Sequence, residues 1–286
     1  MIYFCADDYG LDKESSERIA ECVKKGILNK VSVFPNFGDI DFDKISDEKN
    51  IKLSLHLNLV EGKCMADAKK IDLIADEEGN FRHTFGGLLK SSILCGKKFY
   101  AQVYEEIRAQ VVYWKNVVPE GTPFFIDSHQ HTHMIPAVFR AMTDVLEHEK
   151  IKVDYLRIPA EPLIPFLKTP SLYFTYSPIN IIKQWLLNFL WLFNKGKAKK
   201  QKLPTAYFFG ILFSGKMDRK RVEKILPHYI TLSEKHKKDT EVLFHPGYIE
   251  ENMLPDDKNI VFGKFYLSEN RRKEFDSAMN LTKGSV

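Results

Sequence analysis

The sequence lacks the features that mark several large classes of protein. Its 42 basic and 38 acidic side chains leave a net charge of +4, which is too small to indicate binding to nucleic acid. No apolar run reaches the ~20 residues that are needed to span a bilayer. The four cysteines form no CxxC pair and no zinc-type spacing, which favours a reducing compartment. The first ten residues, MIYFCADDYG, have no basic region before their apolar run, so we expect no signal peptide and a cytoplasmic location.

Strand-like and helix-like segments alternate along the chain. The β-rich runs cover residues 2–6, 31–34, 51–59, 124–127, 153–158, 206–213 and 241–245, with helical patterns between most of them. Residues 7–10 suggest a turn, and residues 61–98 suggest a polar, irregular stretch. Asp12 is placed to cap the first helix, and Pro136 suits the first turn of a later one. This alternation predicts a mainly parallel α/β sheet or barrel, in one domain over residues 1–286.

One segment, at about 178–203, has a different character. Its run IIKQWLLNFLWLF, residues 181–193, is apolar almost all round, and five lysines follow it. We expect a helical insertion that buries most of its surface against the body or a second subunit, because a strongly charged helical face is missing. The alternative is a helix that lies in the membrane interface, with its lysines on anionic lipid.

Four polar clusters follow apolar strands. They are Asp7-Asp8, His56, the stretch DSHQHTHMIP at 127–136, and His245 in a His-Pro-Gly turn. Ligands of parallel α/β folds bind at the carboxyl ends of the strands, where residues far apart in sequence meet. We therefore expect one site, although each cluster alone is also compatible with a turn, a helix cap or a strand end.

The spacing within these clusters suggests that neighbouring residues have different chemical roles. Adjacent residues of an extended chain point to opposite sides, so one carboxylate of the Asp7-Asp8 pair would bind metal and the other would handle a proton. His129, His131 and His133 share one side if their chain is extended, yet a single metal need not take all three. Asn58 lies on the same strand face as His56 and is a candidate for holding a metal ligand in place or for binding the substrate. Together these residues suit a metal-dependent hydrolase.

Six motifs add a resemblance to a known family. In order they are ADDYG, LHLNLVEG, DSHQHTHMIP, LRIP, YFFGILFSG and FHPGY, and together they span nearly the whole chain. The sequence resembles the YdjC/ChbG-type carbohydrate deacetylases. The resemblance implies an irregular (β/α) barrel, similar to a TIM barrel, that removes acetyl groups from N-acetylated sugars with a divalent metal.

The resemblance also assigns roles to particular residues. It makes Asp8, His56 and His129 the metal ligands, Asp7 the general base that activates water, and His245 the general acid. Asp127 would orient a site histidine. The residues expected near the sugar are His131, His133 and Arg157.

The candidate ligands and the resemblance restrict the cofactor and the partner to a few classes. One aspartate and two histidines suit one divalent ion, magnesium or zinc first, with cobalt, nickel and manganese also allowed. The expected partner is an N-acetylated oligosaccharide or sugar conjugate, and a homodimer is compatible with the apolar segment. The alternatives are a phosphoester hydrolase, a non-catalytic sugar-binding protein, and a membrane-peripheral deacetylase of a lipid-linked sugar.

Overall fold

A parallel sheet of seven strands forms the centre of the molecule. The structure, a computed structural model, describes residues 1–38, 40–46, 51–249 and 267–282. The strands are β1 (Ile2–Tyr9), β2 (Lys30–Val33), β3 (Lys52–Leu57), β4 (Phe125–Ser128), β5 (Tyr155–Leu156), β6 (Tyr207–Phe209) and β7 (Thr240–Phe244). Their order across the sheet is β5-β4-β3-β2-β1-β7-β6, and every pairing is parallel. The count of seven refers to the strands within these described residues.

Helices surround this sheet. Among the described residues they are α1 (Lys13–Lys25), α2 (Asp43–Ser46), α3 (Phe85–Leu94), α4 (Gly96–Val117), α5 (Pro136–His148), α6 (Ile164–Leu167), α7 (Pro178–Lys200), α8 (Arg219–His236) and α9 (Glu269–Asn280). The predicted caps are confirmed: Asp12 accepts a hydrogen bond from the Ser15 amide at 2.9 Å, and Pro136 opens α5.

The sheet curls into a half-barrel, which confirms the predicted α/β barrel class. The ring of Tyr3, from the middle of the sheet, lies 5.3 Å from that of Tyr155 on the β5 edge. The amide of Leu156 donates to the carbonyl of Pro204, just before the opposite edge strand β6, at 2.8 Å. The two edges therefore approach each other, and side chains from most strands point into one shared interior.

Two local predictions differ from the structure. Residues 61–98 were expected to be irregular, yet α3 lies within them, with the Thr84 hydroxyl accepting from the Gly87 amide at its start. Asp7 and Asp8 were expected in a turn, but both belong to the end of β1. The strand continues through them because it still pairs with β2 up to Tyr9, beyond a register shift.

The apolar helix α7 does not bury most of its surface against the body of this chain, while burial against a second subunit stays a prediction. Trp185 is 68% exposed and Phe193 is 61% exposed. Polar residues occupy much of its inner side, including Asn180, Gln184 and Asn194, all buried. Across the described residues, none of the helices combines the length and the apolar content that a membrane span requires.

A buried carboxylate fastens the loop after β6. Glu161 accepts hydrogen bonds from three consecutive amides, those of Gly210, Ile211 and Leu212, at 2.5 to 2.9 Å. Burial raises the pKa of Glu161 to about 7, although these three bonds act in the opposite direction. The YFFGILFSG motif is thus held by a group that titrates near neutral pH.

Glu161 makes stability depend on pH. Its folded pKa lies above the ordinary value of 4.5, so its contribution is complete at low pH and is lost as the pH rises through about 7. In urea unfolding we expect the wild type to lose on the order of 3 kcal/mol between pH 5 and 8, relative to a Glu161→Gln variant that cannot titrate. A difference between the two proteins that stays constant over this range would contradict the assignment.

Candidate metal and catalytic site

The predicted convergence of polar residues occurs at the carboxyl ends of the strands. Asp7 and Asp8 end β1, His56 lies near the end of β3, and His129 directly follows β4. Asp8, His56 and His129 form a buried group whose candidate ligand atoms lie within 4.8 Å of one another. Parallel strands bring their carboxyl ends to one edge, so residues 121 positions apart meet there.

Asp8 is the centre of this group. Its Oδ1 atom lies 3.1 Å from Nδ1 of His129 and 3.6 Å from Nε2 of His56. Ligand atoms that each lie about 2.1 Å from one tetrahedral ion are separated by similar distances. The other oxygen of Asp8 accepts from Arg271 at 2.6 Å. Although burial opposes it, Arg271 and the two histidines hold the pKa of Asp8 well below its ordinary value.

The backbone at Asp8 brings both aspartates to the same place. Asp8 has φ +74°, a left-handed conformation that breaks the alternation of side chains along β1. Asp7 Oδ2 therefore lies 4.0 Å from the same His56 Nε2 that Asp8 faces. The expectation that the two carboxylates point to opposite sides was wrong, because it assumed a regular strand through both residues.

His56 is oriented by a carboxylate from the neighbouring strand. Its Nδ1 and Asp127 Oδ1 are 2.5 Å apart, which turns Nε2 towards Asp7 and Asp8. This Nε2 atom is buried and has no hydrogen-bond partner within the part of the chain that the structure describes. Burial lowers the pKa of His56, but Asp7, Asp127 and Asp8 together raise it. A buried imidazole nitrogen without a partner beside a carboxylate fits a metal ligand.

A second group of charges lies deeper in the half-barrel, and Arg157 is at its centre. Arg157 is fully buried and holds Asp7 with two nitrogens, at 2.6 and 2.7 Å. It also donates to Glu241, at 2.6 and 2.8 Å. Lys30 bridges Asp127 at 2.8 Å and Glu241 at 3.1 Å. We call these five residues the interior ion cluster.

The interior ion cluster sets the protonation of its carboxylates. Burial raises the pKa of Asp7, but Arg157 and His56 outweigh it and lower the pKa below the ordinary range. Arg157 and Lys30 likewise hold the pKa of Asp127 well below its usual value despite burial. Asp7 and Asp127 are thus ionised at neutral pH, and the lowered pKa makes Asp7 a weak proton acceptor.

Two carboxylates face the ring of His129. Its Nε2 lies 3.4 Å from Glu61 Oε1, while its Nδ1 faces Asp8. Burial lowers the pKa of His129, but the hydrogen bonds to these two carboxylates raise it to about 10. Asp8 and Glu61 therefore favour a positive charge at His129, carried by the ring proton or, once that proton has left, by a metal ion.

The other two histidines of DSHQHTHMIP diverge from His129. Gln130 and His131 have φ of 51° and 59°, so the expected extended conformation is absent and the three rings do not share one side. His133 is fully buried, with Nδ1 on the Ser128 hydroxyl at 2.6 Å and Nε2 on the Arg157 carbonyl at 2.8 Å. We assign no sugar contact to His133 or to Arg157, because both are used within the protein.

His131 and Asn58 have different surroundings. The His131 ring lies edge-on to Phe208, and burial and Arg157 hold its pKa well below the ordinary value. Nδ1 of His131 has no hydrogen-bond partner within the described ranges. The side chain of Asn58 is buried and binds the turn that carries Glu61, donating to its carbonyl at 2.7 Å. Asn58 thus holds in place the turn that carries Glu61.

His245 is connected to the site through α9. Its amide donates to Glu274 at 2.6 Å, and its Nδ1 lies 3.4 Å from the same carboxylate. Arg271, one turn earlier in α9, donates to the Gly247 carbonyl at 2.7 Å and to Asp8. The His-Pro-Gly turn and Asp8 are therefore held by one guanidinium.

Several residues of the site were not predicted from the sequence. Lys30 and Glu241 complete the interior ion cluster, Glu61 faces His129, and Arg271 binds Asp8. Part of this could have been read from polar residues at alternate strand positions, Lys30 and Ser32 in β2 and Ser54 and His56 in β3, since one strand face then points inwards. Arg271 offered no such pattern.

Comparison with known proteins identifies relatives. The family model for YdjC-like proteins matches residues 1–281. A carbohydrate deacetylase of Danio rerio is 26% identical over 161 residues, which is 56% of this chain and 50% of that protein. One of Thermoanaerobacter pseudethanolicus is 26% identical over 255 residues, covering 87% of this chain and 82% of that protein. The matched part spans about half the length of the vertebrate relatives.

A solved structure shares the fold. It is a protein of Enterococcus faecalis V583, named for a proposed role in cellobiose-phosphate cleavage. The two structures superpose with a TM-score of 0.67 at 16% identity, covering 99% of this chain and 91% of that chain. At this identity the likeness establishes a common architecture.

Arg157 should act as a structural residue. Replacing it in Arg157→Met leaves Asp7 and Glu241 buried without their main cation, so we expect the free energy of unfolding in urea to fall by about 3–5 kcal/mol. Arg157→Lys should lose less, since it keeps the charge but not the fork. The matched control is Arg219→Met, whose side chain is 54% exposed. Equal stability of Arg157→Met and the wild type would contradict the role.

Proposed function

The chain belongs to the YdjC-like protein family, and we propose that it is a metal-dependent hydrolase that removes the acetyl group from an N-acetylated sugar. The relatives named carbohydrate deacetylase support the reaction class. The observation that carries the proposal is the position of two aspartates around one imidazole nitrogen. Asp8 lies 3.6 Å and Asp7 4.0 Å from His56 Nε2.

Asp8, His56 and His129 would hold the metal. They offer one carboxylate and two imidazoles, a set that binds zinc and also accepts harder divalent ions. The carboxylates of Asp8 and Glu61 beside His129 favour a cation at this position. When bound, a divalent ion would polarise the acetamide carbonyl and increase the acidity of a nearby water. Magnesium and zinc are the first ions to test.

Asp7 would accept the proton of the attacking water. Its carboxylate is ionised and fixed by Arg157, so it is always in the basic form. The same ion pair makes it a weak base, which suits a water that has already been made more acidic. Arg157 is thus a positioning residue that keeps Asp7 Oδ2 beside the metal ligands.

His245 would protonate the departing nitrogen. Glu274 holds its backbone amide and lies 3.4 Å from Nδ1, which fixes the ring at the end of β7. As the C–N bond breaks, the amine of the sugar takes this proton and the acetyl group leaves as acetate. His131, beside Phe208, is the remaining candidate for contact with the sugar.

Acetate release tests the reaction and the ligands together. We expect metal-stripped protein to be inactive on N-acetylglucosamine oligomers and to regain activity with a divalent ion, while His129→Ala does not. Asp7→Asn should lower kcat by about 10²–10⁴ and still bind metal in calorimetry. Asp72→Asn, an exposed carboxylate, is the matched control and should behave as wild type.

Two results would count against the proposal. Acetate release that survives metal removal would exclude the metal role, and full activity of His129→Ala would exclude this ligand set. Release of phosphate from a phosphoester, without acetate from any acetylated sugar, would instead support the alternative hydrolase.

A further inference from the structure

The inner side of helix α7 mixes polar and apolar side chains, unlike that of a normal surface helix. Three of its amide side chains face inwards and bind backbone carbonyls: Asn180 that of Ser214 at 2.9 Å, Gln184 that of Glu161 at 3.1 Å, and Asn194 that of Met134 at 2.8 Å. Its outer side carries Trp185 and Phe189, which are 68% and 55% exposed. A surface helix ordinarily turns its apolar stripe to the core.

The exposed apolar surface continues beyond α7. Twelve of the fifteen large hydrophobic residues that are exposed in the described part of the chain lie within residues 163–193. They include Leu167 of α6, 63% exposed, and Phe174, fully exposed. We call the exposed side chains of 163–193 the apolar face. Concentrated apolar exposure of this kind marks an interaction surface.

The segment that carries the apolar face has charge of a single sign, although Asp144 of α5 pairs with its Lys197. Between Glu161 and Asp218 the sequence contains eight lysines and no aspartate or glutamate, although the whole chain has a net charge of only +4. Lys195, Lys199 and Lys200 are exposed at the end of α7 that follows the aromatic residues. Aromatic and aliphatic side chains beside lysines match the boundary between the acyl chains and headgroups of an anionic bilayer.

A second copy of the chain fits this face less well. In a symmetric dimer the same patch meets itself. The corresponding segment of the second copy then offers the lysines no aspartate or glutamate, because residues 162–217 contain none. An anionic bilayer supplies both an apolar medium and the opposite charge.

The apolar face is connected to the candidate site. Asn194 binds the carbonyl of Met134, five residues after His129, and Gln184 binds that of Glu161, four residues after Arg157. The helix is therefore fastened to the loops that follow β4 and β5, at the same edge of the sheet as the catalytic candidates. A surface docked on this face lies beside the loops that deliver the site residues.

We propose that the apolar face inserts into the interface of an anionic bilayer, with the neighbouring lysines on lipid phosphates, and that the acetylated sugar is the headgroup of a membrane lipid. The proposed docking is inferred from the exposed residues alone and does not depend on the proposed enzymatic activity. The lipid-borne substrate rests on the proposed deacetylation as well, so the two are tested by separate measurements.

Vesicle flotation of the full chain tests the docking. We expect binding to phosphatidylcholine vesicles that contain phosphatidylglycerol, with weaker binding when the anionic lipid is omitted or the salt is raised. The double variant Trp185→Glu and Phe189→Glu should bind at least about tenfold more weakly. The matched control, Ile93→Glu and Leu94→Glu, changes two residues of α3 that are 74% and 70% exposed outside the apolar face, and should bind as wild type.

The outcomes separate the hypotheses. Equal loss of binding in both double variants, or no binding by the wild type, would overturn the docking. A concentration-dependent dimer that only the Trp185→Glu and Phe189→Glu variant loses, with no vesicle binding, would assign the face to a second copy instead. Thermal unfolding by circular dichroism confirms that each variant is folded.

Activity then tests the lipid-borne substrate. We expect the α7 variant to release acetate from a soluble N-acetylated sugar at the wild-type rate, but about tenfold more slowly from an acetylated glycolipid in anionic vesicles. Equal rates on the glycolipid would overturn the link to lipid. If the wild type releases acetate from neither substrate, the proposed deacetylation fails, while flotation still decides the docking.

Discussion

The forked contact of Arg157 with Asp7 and Glu241 is the interaction on which the rest of the site depends. Three carboxylates and two cations are buried in the half-barrel, and removing such charges from water costs several kcal/mol for each ion. That cost is offset only when every charge is paired and hydrogen-bonded, as it is here through Lys30 as well. The strands that supply these residues, β1, β2, β4 and β7 with the end of β5, must therefore keep their mutual positions.

The same charges determine the chemistry at the edge of the sheet. Asp127 uses one oxygen for Lys30, Ser32 and Ser54, and the other for His56 Nδ1. The direction of the His56 ring is thus set by the interior of the barrel and not by a mobile loop. Asp7 is held in the ionised state by the same network, so the group proposed as base and the group proposed as ligand are fixed by one set of contacts.

The sequence could predict the fold and the core of the site because each rests on a regular pattern. Strands alternating with helices implied parallel strands, and parallel strands implied that the polar clusters at their carboxyl ends meet. The choice of Asp8, His56 and His129 within those clusters came from the family resemblance. Irregular backbone could not be predicted: φ of +74° at Asp8 and of +59° at His131 depend on tertiary contacts. Lys30 and Glu241 have the charge typical of surface residues, and their ion pair could not be predicted because they lie 211 positions apart in the sequence.

The orientation of α7 shows why hydrophobic periodicity alone can mislead. Residues 181–193 are apolar almost all round, and the usual rule turns the apolar residues of a surface helix to the core. The loops after β4, β5 and β6, however, present the carbonyls of Met134, Glu161 and Ser214, and buried carbonyls require donors. Amide side chains on α7 provide those donors, so satisfying the backbone fixes the polar side inwards. The aromatic side is then exposed as a consequence of how the loops of the site are completed.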